Sequence, residues 1–242
     1  MSESNLPRYA TPFRPIPANE NPRIGRHDES FVVVLESNQP LSGEIVSDPL
    51  FLSLWYPTFE LDDMLPRALS VLRAFPFSLQ QPGIAYVALH PVSWNEATIL
   101  ERRFNPGIRP EEAVLVAADL LHEDYAYLFE AAWDLWIFDQ DQNQWVSKPT
   151  PVNFAVQGEE FDEKAYEQDG HIRVDFGLDS PFLQETIQLT GEAESRVRAN
   201  IQKLVDFTAR EEKNSGATSR LLWSESEENL AQKLIARLQQ IH

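Results

Sequence analysis

Residues 125–137 read Tyr125-Ala-Tyr-Leu-Phe-Glu-Ala-Ala-Trp-Asp-Leu-Trp-Ile137, and the conformation of this segment determines the architecture around it. As a helix, the segment would prolong a helix that we expect to end near His122, with Tyr125, Leu128 and Ala132 sharing a face. As a strand, it places all its odd-numbered residues, which are apolar or aromatic, on one side. Aromatic and β-branched residues favour strands. We therefore predict a strand that adds to a sheet.

Strand and helix patterns alternate before this segment. Apolar runs at 50–56 and 83–89 flank a segment, 65–75, whose apolar residues recur every three or four positions, which is typical of an amphipathic helix. A further strand is predicted at 96–102, and a second helix opens at Pro110, where proline fits the first turn. The order β-α-β-β-α-β predicts an α+β fold with a mostly antiparallel sheet and a ferredoxin-like section.

Extra strands are predicted after residue 138. A polar turn at 139–143 returns into a strand that Pro149 and Pro151 limit to a sheet edge or a short length. Two more strands are predicted at 152–156 and 171–176. These strands extend or cover the ferredoxin-like section.

The ends of the chain differ from this core domain, which we place at 28–189. Residues 1–27 hold five of the 17 prolines and predict an N-terminal arm, either extended across its own domain or a neighbouring subunit or disordered. Residues 190–242 predict a helical hairpin, with Gly216 in the linker and a capping box at Ser224 before the second helix. We expect this hairpin to pack on the core domain or on a second subunit.

The composition excludes several classes of function. With 20 Lys and Arg against 38 Asp and Glu, the net charge is −18, which argues against binding nucleic acid or an anionic membrane. A basic protein partner remains compatible with that charge. The lack of cysteine excludes disulfides, thiolate metal sites and cysteine nucleophiles. Because we find no signal peptide and no apolar run of about 20 residues, we expect a cytoplasmic protein.

His171, Arg173 and Asp175 form the candidate ligand site. They alternate along a predicted strand, so their side chains share one face. A His, an Arg and a carboxylate together can bind an anion and move a proton. The same alternation is also typical of an ordinary solvent-facing strand, with the intervening apolar residues turned inward.

Other polar clusters give no catalytic, metal or cofactor assignment. His122, Glu123 and Asp124 are adjacent, so in a helix they face different ways and do not match a zinc site. The acidic run 159–163 holds carboxylates, but an exposed acidic loop does not raise the pKa of one of them as glycoside hydrolysis requires. Phosphate-binding glycine loops and hydrolase nucleophile motifs are absent from the sequence.

Three tryptophans, Trp133, Trp136 and Trp145, lie within one predicted hairpin. Trp133 and Trp136 face opposite sides of the sheet. A sheet with large aromatic residues on both faces either has both faces covered or presents one face to a partner. The three residues are therefore candidates for a partner surface.

From these features we expect a non-enzymatic protein that acts through protein–protein interaction or self-association. An acidic inhibitor or immunity-type protein that neutralises a basic partner is one form of this function. The alternative is a small-molecule-binding sensor or enzyme with a pocket between the sheet and a helix. In that alternative His171, Arg173 and Asp175 supply the polar groups.

Overall fold

The computed structural model describes residues 47–184, 191–224 and 230–239. In these ranges the strands are β1 (Pro49–Trp55), β2 (Ile84–Pro91), β3 (Leu100–Ile108), β4 (Tyr125–Asp139), β5 (Gln144–Gln157), β6 (Ile172–Leu178) and β7 (Ser219–Ser224). The helices are α1 (Leu61–Ala74), α2 (Pro110–Ala118), α3 (Tyr166–Asp169), α4 (Ser180–Leu183), α5 (Gly191–Asn214) and α6 (Leu230–Gln239). None of them is long and apolar enough to cross a membrane.

The proline-rich arm predicted at 1–27 lies outside the described residues. Residues 225–229, which include Glu227 of the capping box predicted at Ser224, also lie outside the described residues, as do residues 240–242 at the end of the second predicted helix.

The segment 125–137 is extended, as predicted, and forms most of β4. β4 pairs antiparallel with β5 without interruption, from Ala126 opposite Gln157 to Asp139 opposite Gln144. The odd-numbered residues of β4 face the core, and Trp133 at its centre is fully buried, with its ring 5.1 Å from that of Phe176. Hydrophobic alternation therefore determined the conformation of this segment.

The strands form one sheet in the order β3-β2-β4-β5-β6-β1-β7, and every neighbouring pair is antiparallel. The α+β class and the antiparallel sheet are thus as expected. One sheet face packs against α1, α2, α4, α5 and α6, and the core lies between the sheet and these helices. Leu52, Phe154 and Val174 from the sheet meet Leu72 and Leu204 from the helices in this core.

The ferredoxin-like section is not confirmed. In that arrangement a single strand separates the two strands that each helix connects. This holds for α2, since β2 lies between β3 and β4, but α1 connects β1 and β2, which have β4, β5 and β6 between them. The physical reason is that β2 and β5 occupy both edges of β4, so that β1 has no edge of β4 to pair with.

The predicted C-terminal hairpin needs a correction, because a strand lies between its two helices. α5 and α6 form as expected, but β7 intervenes and pairs with β1 at the end of the sheet. The Trp223 ring lies 4.7 Å from that of Phe51, and its indole N–H donates to Ser53 Oγ at 3.0 Å. These contacts stabilise residues 219–224 as a strand.

The outer half of the β4–β5 hairpin extends beyond its neighbours. β6 pairs with β5 only over residues 153–156, so residues 144–152 form a sheet edge within the described chain. Pro149 and Pro151 lie in this part of β5, and neither has an N–H to offer a further strand. The expectation that these prolines mark an edge is confirmed, although β5 is 14 residues long.

On the opposite edge of the same hairpin, formed by β4, side chains of α5 make hydrogen bonds with backbone groups of the strand. Asn200 of α5, 1% exposed, accepts a hydrogen bond from Trp136 N–H at 2.9 Å and donates to Trp136 O at 2.8 Å. The same amide donates to Pro181 O of α4 at 2.9 Å. Lys203, one turn further along α5, donates to Asp134 O. The Asn200 amide thus replaces a neighbouring strand and ties β4, α4 and α5 together.

Replacing Asn200 by Ala removes these three hydrogen bonds and leaves buried backbone groups of Trp136 and Pro181 unpaired. We expect Asn200→Ala to lower the free energy of unfolding by about 3 kcal/mol. Urea denaturation measures the change. Gln202→Ala, an exposed substitution in the same helix, is the control and should change stability by less than about 0.5 kcal/mol; equal effects of the two would contradict the assigned role.

Candidate functional site

The three residues predicted as a ligand site have different partners in the structure. His171 is buried immediately before β6 and packs among aromatic rings. Arg173 pairs with Asp169 and lies over the Phe51 ring, 5.4 Å from its centroid. Asp175 accepts a hydrogen bond from the backbone N–H two residues ahead, and burial raises its pKa. Arg173 and Asp175 therefore have partners in the fold that differ from those of His171.

The three predicted tryptophans differ in exposure. Trp133 is fully buried in the core. Trp136 is half-buried, and Arg196 of α5 lies 3.5 Å from its ring centroid. Trp145 is half-buried and packs against Phe138 across the hairpin, with centroids 5.6 Å apart. Each of the three tryptophans therefore contacts another side chain of the same chain.

The polar residues that do converge lie at one end of the sheet. Strand register places the end of β2 beside the start of β4, and the end of β5 beside the starts of β4 and β6. His90, His122 and His171, which are the described histidines, all lie at this end. Glycine is required at position 158, because a Cβ there would lie 2.1 Å from Glu123 O and would prevent the two segments from approaching this closely.

Several residues of the loops at this end have strained backbone conformations. Val92 has a φ of +60°, and residues 162–164 have φ values of +47°, +55° and +69°. Such conformations cost non-glycine residues on the order of 1–3 kcal/mol each and concentrate at functional sites. Hydrogen bonds join the loops: Val92 N–H donates to Asp124 O, and Asp162 N–H donates to Val92 O, both at 2.7 Å.

A cavity of about 270 Å³ opens among these loops, which we call the acidic pocket. Phe59 and Met64, both buried, contribute apolar wall together with Leu61. Five exposed acids line the rest of it: Glu60, Asp62, Glu123, Glu159 and Glu160. Two of these acids flank the first residue of α1, where the helix dipole stabilises negative charge.

His171 is fixed beside the acidic pocket. It is 5% exposed, and the rings of Phe59 and Tyr166 stack on it with both centroids 4.6 Å away. Its Nδ1 accepts a hydrogen bond from Tyr56 N–H at 3.0 Å, and its Nε2 lies 3.8 Å from Glu159 Oε1. Burial lowers the pKa of His171 to about 4, so the ring is neutral at pH 7.

A second perturbed group, Glu211, lies on the other side of Tyr56. Glu211 is 1% exposed, and in the described chain neither carboxyl oxygen has a hydrogen-bond partner. Burial raises its pKa to about 8. The pKa of Tyr56 is raised too, by burial first and by the charge of Glu211 second. Buried titratable groups with shifted pKa values, such as His171 and Glu211, concentrate at functional sites.

The chemistry of the acidic pocket suits an organic cation. Carboxylates attract a positive charge, and the buried apolar wall accommodates the carbon stem that carries it. In the ranges that the structure describes, no three His, Asp or Glu side chains are arranged to hold a metal ion.

Sequence reasoning missed this pocket. Polarity places Glu159 and Glu160 in an exposed acidic loop, and they are exposed, but no local pattern indicates that Glu60, Asp62 and Glu123 line the same cavity. The sequence does carry one signal. Glu123 precedes the predicted strand 125–137, Glu159 and Glu160 follow the predicted strand 152–156, and Glu60 and Asp62 precede the predicted helix 65–75.

Comparisons with known proteins add no relative to this description. No family model, no curated protein and no solved structure matches the chain.

The low pKa of His171 predicts a dependence of stability on pH. The unfolded chain protonates this ring near pH 6.5 and the folded protein only near pH 4, so its contribution to stability is fully present above pH 6.5 and falls as the pH drops towards 4. The loss amounts to about 3 kcal/mol. Urea denaturation between pH 7 and 4 should show a smaller decrease of the free energy of unfolding with falling pH in His171→Asn than in the natural protein. The exposed His122→Asn should retain it, and parallel slopes in all three proteins would contradict the prediction.

The raised pKa of Glu211 predicts the opposite dependence. Its carboxyl ionises near pH 4.5 in the unfolded chain and near 8 in the folded one, so its ionisation opposes folding increasingly as the pH rises from 4.5 to 8. Because glutamine does not ionise, Glu211→Gln should be more stable than the natural protein at pH 7, by about 3 kcal/mol, and similar at pH 4. Thermal unfolding at both pH values measures this. The exposed Glu212→Gln is the control, and a Glu211→Gln protein no more stable at pH 7 would refute the prediction.

Proposed function

We propose that the protein is a non-enzymatic, cytoplasmic binding protein that takes up a cationic group of a basic polypeptide partner in the acidic pocket. The observation that carries this proposal is that five acidic residues line a cavity of about 270 Å³ with a buried apolar wall. An inhibitor or immunity-type protein that neutralises a basic partner is the form of function that we favour.

A basic side chain matches both parts of the pocket. The carbon stem of Lys or Arg packs on apolar surface while its charged end remains polar, so the stem would lie against Phe59 and Met64. The charged end would meet the surrounding carboxylates in charge-assisted hydrogen bonds. The net charge of −18 accelerates encounter with a basic partner at low ionic strength.

The rigidity of the pocket supports a binding role. The loops that supply Glu123 and Glu160 are joined by a hydrogen bond from Glu160 N–H to Glu123 O at 3.1 Å. Val92 connects the same loops at a strained φ. A pocket that is already ordered loses little conformational entropy when it binds.

A small organic cation is the second candidate ligand. The volume of about 270 Å³ lies just below the roughly 300 Å³ at which small-molecule sites begin, so only a small cation would fit. This candidate corresponds to the alternative of a sensor or enzyme, with His171 as the member of the predicted trio that adjoins the pocket. Self-association through the pocket is disfavoured, since two acidic mouths repel each other.

Titration with tetralysine and with putrescine, followed by calorimetry at low salt, tests the proposal. We expect tetralysine to bind with 1:1 stoichiometry. The triple variant Glu123→Gln/Glu159→Gln/Glu160→Gln should bind it at least about tenfold more weakly, because charge-assisted hydrogen bonds are lost. The control triple variant changes the charge equally but at exposed acids outside the pocket, namely Glu96→Gln/Glu163→Gln/Glu167→Gln.

The control separates the pocket from the overall charge. If both triple variants lose affinity equally, tetralysine binds the net charge and the proposed function is wrong. If putrescine binds as tightly as tetralysine and only the pocket variant loses it, the small cation is the ligand. Light scattering that shows dimers dissociated by the pocket variant would instead favour self-association.

A further inference from the structure

His171 holds a buried hydrogen-bond donor without an acceptor. Its Nδ1 accepts the hydrogen bond from Tyr56 N–H, so Nδ1 carries no proton. A neutral imidazole has one ring proton, which must then be on Nε2. Nε2 is buried and has no hydrogen-bond partner in the part of the chain that the structure describes. Buried donors are paired in the great majority of cases, so this exception calls for an explanation.

The nearest acceptor belongs to the acidic pocket. Glu159 Oε1 lies 3.8 Å from His171 Nε2, beyond hydrogen-bond distance, and the Glu159 side chain is 47% exposed. A movement of about 1 Å by the carboxylate would close a bond of ordinary length. The ring itself is held between Phe59 and Tyr166 and by Tyr56, so the carboxylate must move and not the imidazole.

We propose that His171 is a positioning residue of the acidic pocket. When a cation binds, His171 Nε2–H donates a hydrogen bond to the Glu159 carboxylate and holds that carboxylate against the cation. This inference rests on the proposed function, because it concerns the bound state of the same pocket. His171 acts through Glu159 and does not touch the ligand.

The bond forms on binding for an electrostatic reason. Without a bound cation, the like charges of Glu60, Asp62, Glu123 and Glu160 oppose any loss of water from the exposed Glu159 carboxylate. A bound cation offsets this repulsion and displaces water from the carboxylate. A carboxylate that loses water needs hydrogen-bond donors, and Nε2–H is a buried donor already in place. The bond made only in the complex therefore adds to affinity for the cation.

The tautomer also defines what His171 does not do. With its proton on Nε2, the ring presents a donor to the pocket and no lone pair, so it does not act there as a base. Protonation at Nδ1 would displace the Tyr56 N–H bond. His171 is thus a fixed donor at neutral pH, which differs from the proton-moving role considered for it with Arg173 and Asp175.

His171→Asn tests the inference with tetralysine as the probe. Asparagine retains an oxygen acceptor for Tyr56 N–H but is too short to replace the Nε2–H donor. We expect tetralysine to bind this variant about tenfold more weakly, because a hydrogen bond to a charged group is lost from the complex.

A double-mutant cycle identifies Glu159 as the partner of His171. The effect of His171→Asn should largely disappear in a Glu159→Gln background. It should persist in the matched Glu160→Gln background, since Glu160 has the same charge, lines the same pocket and is not the carboxylate next to Nε2.

Nuclear magnetic resonance of the natural protein measures the Nε2 proton of His171 directly. If His171 had only a structural role, ligand binding would not change the signal of this proton. Long-range ¹H–¹⁵N spectra should show His171 protonated on Nε2 and unprotonated on Nδ1. Saturation with tetralysine should shift the Nε2 proton downfield and slow its exchange with water.

The outcomes separate this inference from the proposed function. If tetralysine binding depends on Glu159 and Glu160 but His171→Asn binds as tightly as the natural protein, the inference is wrong and the proposed function stands. If binding does not depend on the pocket acids, both fail. If His171→Asn does not fold, the spectra decide: a proton on Nδ1, or an Nε2 signal unchanged at saturation, overturns the inference.

Discussion

The uninterrupted pairing of β4 with β5 is the constraint on which the rest of the structure depends. Because Ala126 lies opposite Gln157, the residues before β4 and after β5 must emerge at the same edge of the sheet. This register brings Glu123 beside Glu160 and so builds half of the acidic pocket. A shift of one residue would turn Trp133 out of the core, so burial of the aromatic face protects the geometry of the site.

Local periodicity explains which parts of the fold could be predicted. The alternation in β4 and the three- and four-residue spacing in α1 are properties of single segments, and both were read correctly from the sequence. Strand order is a property of pairs of segments that are distant in the chain, and no local pattern encodes it. The ferredoxin-like section failed for this reason, and β7 was missed because six residues beside a long helix carry a weak pattern.

The site shows the same division. His171 was singled out from its alternation with Arg173 and Asp175, yet its environment comes from Tyr56, Phe59 and Tyr166, which lie elsewhere in the sequence. The acids of the pocket come from three segments about 40 to 60 residues apart. Their exposure was predictable from polarity, whereas their convergence depends on the sheet register and on the turn into α1.

The prolines of β5 restrict how this protein can associate. Residues 144–152 present a sheet edge, and an intact edge is a template on which a foreign strand can extend the sheet into a fibril. Pro149 and Pro151 are two residues apart, so the N–H groups that they lack belong to the same edge, where a ladder needs a donor at every second residue. A foreign strand that added to residues 144–152 would therefore lack two donors, which disfavours amyloid-like growth at this edge.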